Sequence, residues 1–284
     1  MSDQQQKFIE QGYIVLEKGL DATDMGLLEQ SNTQLYQQAQ ALLEDAVAGQ
    51  YTLSNYYKEA ADDLIVVPEI DNPTKVCRYE YIRACNQSVR EHLVPKLQQY
   101  IKGLTGVDFV LFKDKCNAKN PGGGAFEPHQ DVIAYNKFKP NYHITVAIFL
   151  DESTKENGCL HFAKNYRADL AGKGINRFTT PAGELQVLPS DSGGSKNGNI
   201  TDEICQQINW QEILAKPGDI VIFDSYVPHY SNKNESKYPR RAMFFTFNAK
   251  SDGDFYQAYY QMKHAEFDNP AFHIATPTAH SQTL

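Results

Sequence analysis

From residue 75 onward the chain is cut into short, strand-length runs, and that punctuation constrains the fold more than any other feature. Eight runs qualify: VCRYEYI (76–82), VDFVLFK (107–113), VIAY (132–135), HITVAIFL (143–150), CLHFA (159–163), ELQVL (184–188), DIVIF (219–223) and AMFFTFN (242–248). They are rich in the β-branched and aromatic residues that suit a pleated surface. Turn residues part them: PGGG (121–124), ENG (156–158), KPGD (216–219) and NKNES (232–236). The first third reads differently. A short helix and then a strand entering a turn, GYIVLEKGL, fit residues 1–20. Residues 22–48 form a helix that opens on Asp and Thr candidate caps, carries Leu27, Leu28, Leu35, Leu42, Leu43 and Val47 at helical intervals, and closes on Gly49. Residues 50–73 read as mixed and loop-like, and a second helix fits 87–103. The expected fold class is mostly β with flanking helices (α+β). The expected architecture is a double-stranded β-helix, a cupin-like jelly roll, in a single domain spanning 1–284 with its N-terminal helices packed outside.

Within this frame, one constellation can carry chemistry. Pro128-His129-Gln130-Asp131 is followed about a hundred residues later by Pro228-His229. In a strand, residues i and i+2 share a face, so His129 and Asp131 offer an imidazole and a carboxylate side by side. His229, just past the strand run GDIVIFD (218–224), would complete a set of two His and one carboxylate. Such a set holds a metal on one face and leaves the other open, and its ligand types suit Fe(II) in oxygenases. Gly122, Gly123 and Gly124 give a flexible entry to the first pair. Arg240 lies eleven residues past His229, at the start of run 242–248. Its planar fork matches a carboxylate at two points, as a dicarboxylate cosubstrate chelating iron at its other end requires. Arg241 points to the opposite face, so one of the two can be the anchor. Alone, the His-x-Asp pair is a weak signal and reads first as a surface histidine beside an acid.

Together these pieces resemble the phytanoyl-CoA dioxygenase family of Fe(II)/2-oxoglutarate-dependent oxygenases. The likeness runs from GYIVL (12–16) to RAMFFTFN (241–248) and rests on FKDKCNAKNPGGGAFEPHQD (112–131), ENGCL (156–160) and GDIVIFDSYVPHYSNKNESKYPRRA (218–242). The resemblance implies iron on His129, Asp131 and His229, and 2-oxoglutarate with its distal carboxylate on Arg240. It further implies cosubstrate contacts from Lys113, Asn117, Thr145, Tyr135 and Ser231. Each of these has an ordinary structural reading beside it, such as an exposed lysine, strand filler or core aromatic. The implied reaction consumes O₂, turns 2-oxoglutarate into succinate and CO₂, and hydroxylates an unactivated C–H. The intact Asp131 sets the chain apart from related halogenases, which need a small residue there. Desaturation or ring closure with the same cofactors, and a non-oxidative metal-dependent jelly-roll enzyme, stand as alternatives.

Within the family the likeness extends to bacterial hydroxylases of small aminophosphonates, through CRYE (77–80), FKDKxN (112–117), PGGxxFxPHQD (121–131), FDSYxPHxS (223–231) and GDFYQAYYQMK (253–263). It implies a small polar metabolite of amino acid, betaine or aminophosphonate type. Arg78, Glu80, Tyr226 and Tyr259 are the substrate candidates. Arg78 and Glu80 are equally explained as a structural ion pair. One departure is visible: after ENGCL the chain reads HFAKNYR (161–167), where relatives carry a PG-H-type turn. The polar loop 189–202 could cover the site.

Composition removes other classes. With 17 Tyr and 15 Phe there is ample material for a core, which excludes a disordered chain. A net charge of −8 with no basic stripe argues against a nucleic-acid partner. No run of 18 apolar residues exists to span a membrane, and MSDQQQKFIEQGY lacks the pattern of a secretory leader. Five cysteines without a CxxC motif read as reduced thiols in the cytoplasm. The aromatic cluster Phe255, Tyr256, Tyr259 and Tyr260 suits a packing stripe or a homodimer contact as well as a substrate box. His92, His264, His273 and His280 fall outside any ligand spacing.

Overall fold

The computed structural model describes residues 2–69, 72–180, 183–191 and 198–269. His273, His280 and positions 192–197 of the polar loop lie outside them. Thirteen strands run β1 Tyr13–Leu16, β2 Ile65–Pro68, β3 Val76–Glu80, β4 Phe109–Asn117, β5 Phe126–His129, β6 His143–Phe149 and β7 Leu160–Ala163. They continue with β8 Ile175–Thr180, β9 Gly183–Val187, β10 Trp210–Ile213, β11 Ile220–Asp224, β12 His229–Ser231 and β13 Ala242–Ala249. A seven-stranded sheet in the order β1-β11-β6-β13-β4-β3-β2 faces a four-stranded sheet in the order β10-β7-β12-β5, and β8-β9 form a separate ribbon. All pairings are antiparallel. This is the expected jelly roll with helices outside.

The run AMFFTFN shows why the large sheet is buried on both faces. Ala242 and Phe244 belong to the apolar cluster between the sheets, with Ala147, Phe149, Leu160, Phe162 and Phe223. Met243, Phe245 and Phe247 alternate with them and belong to the other apolar cluster, on the helical side, which includes Leu35, Leu42, Ile101 and Tyr260. A strand covered on both sides loses the polar alternation and reads as a continuous apolar run. Burying each large apolar side chain contributes about 1.5–3 kcal/mol, so the central strand is an anchor for both layers.

The helix Ala22–Val47 starts where Asp21 accepts from the Thr23 and Asp24 amides, each at 2.9 Å. Its buried stripe is Leu28, Ser31, Asn32, Leu35, Ala39, Leu42, Leu43 and Ala46. Leu27 and Val47, expected on that stripe, are exposed because each sits about 100° round the helix from it. The second helix is composite: a π-helical turn over Val89–Leu93 runs into an α-helix over Val94–Thr105. Pro95 lacks the amide that would close a regular turn there. Gly103 lies inside the helix; Gly106, at φ +75°, ends it. The 50–73 segment holds more order than its composition shows, with a helix over Leu53–Glu59 capped by Thr52 and the edge strand β2. Pro68 is tolerated at a sheet edge, where no ladder donor is needed. The run 132–135 is a 3₁₀ turn, Asp131–Tyr135, and not a strand. Gln130 pins the chain as it leaves the sheet: its amide donates to the carbonyls of Tyr226 (2.6 Å) and Gln186 (3.0 Å) and accepts from the Leu188 amide (2.8 Å). No helix among the described residues is long and apolar enough to cross a membrane.

Candidate active site

Strand register builds the site. β12 lies against β5 so that His229 and His129 are direct cross-strand partners, with ring centroids 4.3 Å apart. Asp131, two residues past the end of β5, places its Oδ1 3.6 Å from His129 Nε2 and 4.0 Å from His229 Nε2. One ligand atom from each residue falls within 4.8 Å of the others. The three expected residues therefore converge, although Asp131 arrives on a turn and not on the strand. Both imidazoles are orientated through their other nitrogen: His129 Nδ1 bonds the Glu127 carbonyl at 2.6 Å, and His229 Nδ1 the Val227 carbonyl at 3.0 Å. A carbonyl can only accept, so Nδ1 carries the proton and Nε2 offers its lone pair. Burial, and then the neighbouring His129, push the His229 imidazole down to about 4, which keeps it in the neutral, ligating form. Burial opposes a charge on Asp131, but the His129 imidazole, with His229 and Lys113, outweighs it and holds the carboxyl well below the usual range.

A cavity surrounds these three groups. Its large-sheet wall is one face of β4 and β13. Lys113, Lys115 and Asn117 alternate along β4, opposite Thr246, Phe244 and Ala242. At one end sits Arg240, 1% exposed. Its Nη2 donates to the Gly158 carbonyl at 2.9 Å, while Nε and Nη1 are buried without an acceptor. At the other end the Lys113 ammonium lies over the rings of Tyr135 (4.8 Å) and Tyr259 (5.9 Å). Lys115 Nζ lies 5.3 Å from the Phe244 ring centre. Burial lowers both lysines, Lys115 to about 7 with help from Lys113 and Arg78.

Of the other expected residues, Asn117, Tyr135, Thr145 and Ser231 all line the cavity. Thr145 and Thr246 pair through their hydroxyls at 2.9 Å. Arg241 points away, bound to Asp151 and Glu29. Arg78, Glu80, Tyr226 and Tyr259 stand outside the lining. Arg78 Nε lies 2.7 Å from Glu80 Oε1, and Glu80 Oε2 accepts from Lys263 at 2.6 Å, all three buried. Tyr226 donates to the Asn141 carbonyl at 2.7 Å. Tyr256 and Tyr260 hold the buried Asp114 carboxylate, so this part of the C-terminal cluster packs inward. Sequence reasoning passed over Lys115, Phe244, Thr246 and Phe126, which also line the cavity. The signal was present in the period-two pattern Lys113-x-Lys115-x-Asn117-x-Lys119, which puts all four on one face.

The donor set fits a ferrous ion: two neutral imidazoles and a carboxylate gathered at one spot with space beside them. The unpartnered guanidinium fits a carboxylate, since a buried donor without an acceptor is costly. A jelly roll with these two features defines the class of Fe(II)/2-oxoglutarate-dependent oxygenases. The sequence profile of the phytanoyl-CoA dioxygenase family (PhyH) matches residues 8–242, and the chain belongs to that family. It is similar to a 2-aminoethylphosphonate dioxygenase of an uncultured bacterium, 33% identical over 200 residues that cover 70% of this chain and 69% of that protein. It is also similar to a methylphosphonate hydroxylase of Gimesia maris, 36% identical over 191 residues covering 67% of this chain and 65% of the relative. In three dimensions EctD from S. alaskensis, solved with 2-oxoglutarate and 5-hydroxyectoine and also with bound Fe, shares the fold. The first of those structures gives a TM-score of 0.64 at 20% identity, over 89% of this chain and 77% of that one. The protein is thus a dioxygenase whose cofactor is Fe(II) and whose cosubstrate is 2-oxoglutarate.

Proposed function

We propose that this dioxygenase hydroxylates an unactivated C–H of a small metabolite with a multiply charged anionic head of the phosphonate type. In this reading His129, Asp131 and His229 hold the iron, and Arg240 takes the distal carboxylate of 2-oxoglutarate. Ser231 and Asn117 lie near that end, and Thr145, on β6 of the same sheet as Asn117, lies level with Lys113. Iron, 2-oxoglutarate and O₂ together supply the oxidising power, with the keto acid decarboxylated to succinate and CO₂ as the substrate gains a hydroxyl oxygen.

The observation that carries the substrate reading is the pair Lys113 and Lys115. Neither ammonium has a hydrogen bond or ion pair among the described residues. Both nevertheless line the cavity. Along the inward face Lys113 lies farther from the Arg240 end than Lys115 does. The Arg240 amide bonds the Lys119 carbonyl, which is six residues along β4 from Lys113, or about 20 Å of strand. A five-carbon diacid spans only ~5 Å between its terminal carbons. A keto acid with one carboxylate on Arg240 and the other beside the iron can meet at most one of these two ammoniums closely, which leaves the other for a second ligand. Two cations beside one opening favour an anion of more than one charge, as in a phosphonate, and such an anion would offset the burial cost of both. Tyr135 and Tyr259 hold the Lys113 ammonium in place. The space beside the metal ligands must hold keto acid and substrate together. That keeps the substrate small. The names of the two similar proteins add support, one for 2-aminoethylphosphonate and one for methylphosphonate.

The test is a panel of methylphosphonate, 2-aminoethylphosphonate, amino acids and betaines, scored for substrate-dependent succinate by mass spectrometry. A phosphonate should raise succinate above the substrate-free rate, and Lys113→Met should raise its KM at least tenfold while 2-oxoglutarate dependence holds. Turnover of a betaine with no response to any phosphonate would end this reading.

A further inference from the structure

We infer that Lys119 is a positioning residue of the 2-oxoglutarate site: it fixes the Ser231 hydroxyl as a donor and adds a second cation behind the Arg240 anchor. The inference rests on 2-oxoglutarate occupying the Arg240 end of the cavity.

Lys119 is 3% exposed, which is rare for a lysine. Its ammonium donates to Ser231 Oγ at 2.8 Å and to the Asn232 carbonyl, and lies 5.4 Å from the centre of the Phe126 ring. No carboxylate among the described residues lies within ion-pair distance of it. Its backbone is locked to the anchor, since the Lys119 carbonyl accepts from the Arg240 amide at 2.9 Å and from Asn234 Nδ2 at 2.9 Å. The local chain is built to admit the ammonium. Gly158 sits at φ +77°, and a Cβ there would come within 2.9 Å of Lys119 Nζ and 2.3 Å of the Asn232 oxygen. The same glycine's carbonyl accepts from Arg240 Nη2. One turn therefore holds both cations.

Proton bookkeeping gives the consequence. Burial, and then the neighbouring Arg240, push the Lys119 amine down to about 6 in the empty site. A carboxylate bound beside both groups favours the charged ammonium, which only donates, so Ser231 Oγ is the acceptor in their bond once the ligand is in place. The single serine proton is then left to donate elsewhere, and Ser231 lines the cavity. Together with Arg240 Nε and Nη1, which have no acceptor, the wall presents three donors. A carboxylate, with about four lone-pair positions on two oxygens, accepts all three. Without Lys119 the serine could turn its proton to the Asn232 carbonyl and present a lone pair to the incoming carboxylate.

The test is equilibrium binding to the Fe(II)-loaded protein without O₂, by calorimetry. It compares 2-oxoglutarate with 2-oxovalerate, which keeps the chelating keto-acid end and lacks the distal carboxylate. Lys119→Met should weaken 2-oxoglutarate roughly 10- to 100-fold, the worth of a hydrogen bond to a charged group, and leave 2-oxovalerate within about threefold. Ser231→Ala should show the same selective loss, and the double variant should bind no worse than Lys119→Met within threefold, because the two act as one device. If Lys119→Met does not fold, Ser231→Ala carries the test alone. Unchanged 2-oxoglutarate affinity in either variant, or an equal loss for both ligands, overturns the assignment. A wild-type protein with no preference for 2-oxoglutarate over 2-oxovalerate removes the Arg240 placement, and this inference with it.

Discussion

Replacing Arg240 by Met separates binding from folding more cleanly than any other single change. The guanidinium is buried, pays one hydrogen bond to Gly158 and leaves two donors without acceptors. Burial lowers its pKa to about 10, a measure of how poorly the empty wall supports the charge. Two charge-assisted hydrogen bonds to a carboxylate are worth roughly 3–6 kcal/mol together. Their loss should weaken 2-oxoglutarate by about 10² to 10⁴-fold. The ligand-free protein should respond differently. Met keeps the aliphatic volume and removes a buried charge, a change that is often neutral or stabilising. The Gly158 carbonyl loses its partner at a cost of about 1 kcal/mol. The two effects oppose, so ligand-free stability should move by less than about 1 kcal/mol. The assay is calorimetric titration of the Fe(II)-loaded protein without O₂, beside thermal unfolding with and without 2-oxoglutarate. At a hundred times Kd the wild type should gain about 2.7 kcal/mol, or roughly 4–5 °C for a chain of this size. The variant should gain almost nothing. Wild-type affinity in Arg240→Met refutes the anchor. A fall in the ligand-free midpoint by several degrees would show instead that Arg240 is a structural post.

Three further outcomes follow from the same contacts. Asp131→Ala leaves two imidazoles, and should lower iron content after dialysis and abolish succinate formation while circular dichroism stays unchanged; an active variant would break the ligand assignment. His143 is fully buried between Phe112 and Tyr135, and burial lowers its pKa to about 3. The unfolded imidazole titrates near 6.5, so between these values the unfolded chain binds more protons and stability falls as the pH drops. Wild type should lose about 1.6 kcal/mol from this group between pH 6.5 and 5, and His143→Phe should remove that contribution in urea titrations at the two pH values; an equal loss in both proteins would refute it. Glu80→Gln takes the shared carboxylate charge from the buried Arg78 and Lys263 cations and should cost about 3–5 kcal/mol in denaturant unfolding, whereas a loss under 1 kcal/mol would mean the carboxylate charge is not what supports them.

What the sequence disclosed was periodic, and what it concealed depended on position in space. Alternation and turn residues located β3, β4, β6, β7, β11 and β13, because each is long enough to show a pattern or is bounded by Gly and Pro. The short strands β2, β5, β10 and β12 carry three or four residues each, too few for a period, and their partners supply the pairing. The metal triad was legible because its spacing is local on one side and bounded by a strand run on the other. Arg240 was legible through its place beside β13. Lys115 and Lys119 share a period-two face with Lys113 and Asn117, but that the face is buried is not legible, since an exposed lysine and a buried one look alike in a sequence until the opposing sheet is present. Glu80 and Arg78 share a strand face, which made an ion pair and a ligand site equally readable. The Lys263 that completes the pair lies 183 residues from Glu80 and has no local signature.

One irregularity in β4 explains why a cavity exists where a sandwich would normally be filled. Register shifts between Thr246 and Phe247, so that Thr246 pairs with Lys113 and Phe247 with Leu111, leaving Phe112 as the extra residue. A one-residue slip exchanges the two faces of a strand. Before the bulge, Phe109 and Leu111 pack outward among the helices; after it, Lys113, Lys115 and Asn117 face inward. Had the register run straight, Leu111 would share the inward face with Lys113, and apolar contact between sheets about 10 Å apart would be free to close over the metal ligands. With three polar side chains in that row, the same closure would bury ammonium and amide groups without partners, at a cost that drying the space could not offset. The bulge thus assigns the apolar half of one strand to the helical core and the polar half to the site, and it keeps open the wall that β12 and β5 face with His229 and His129.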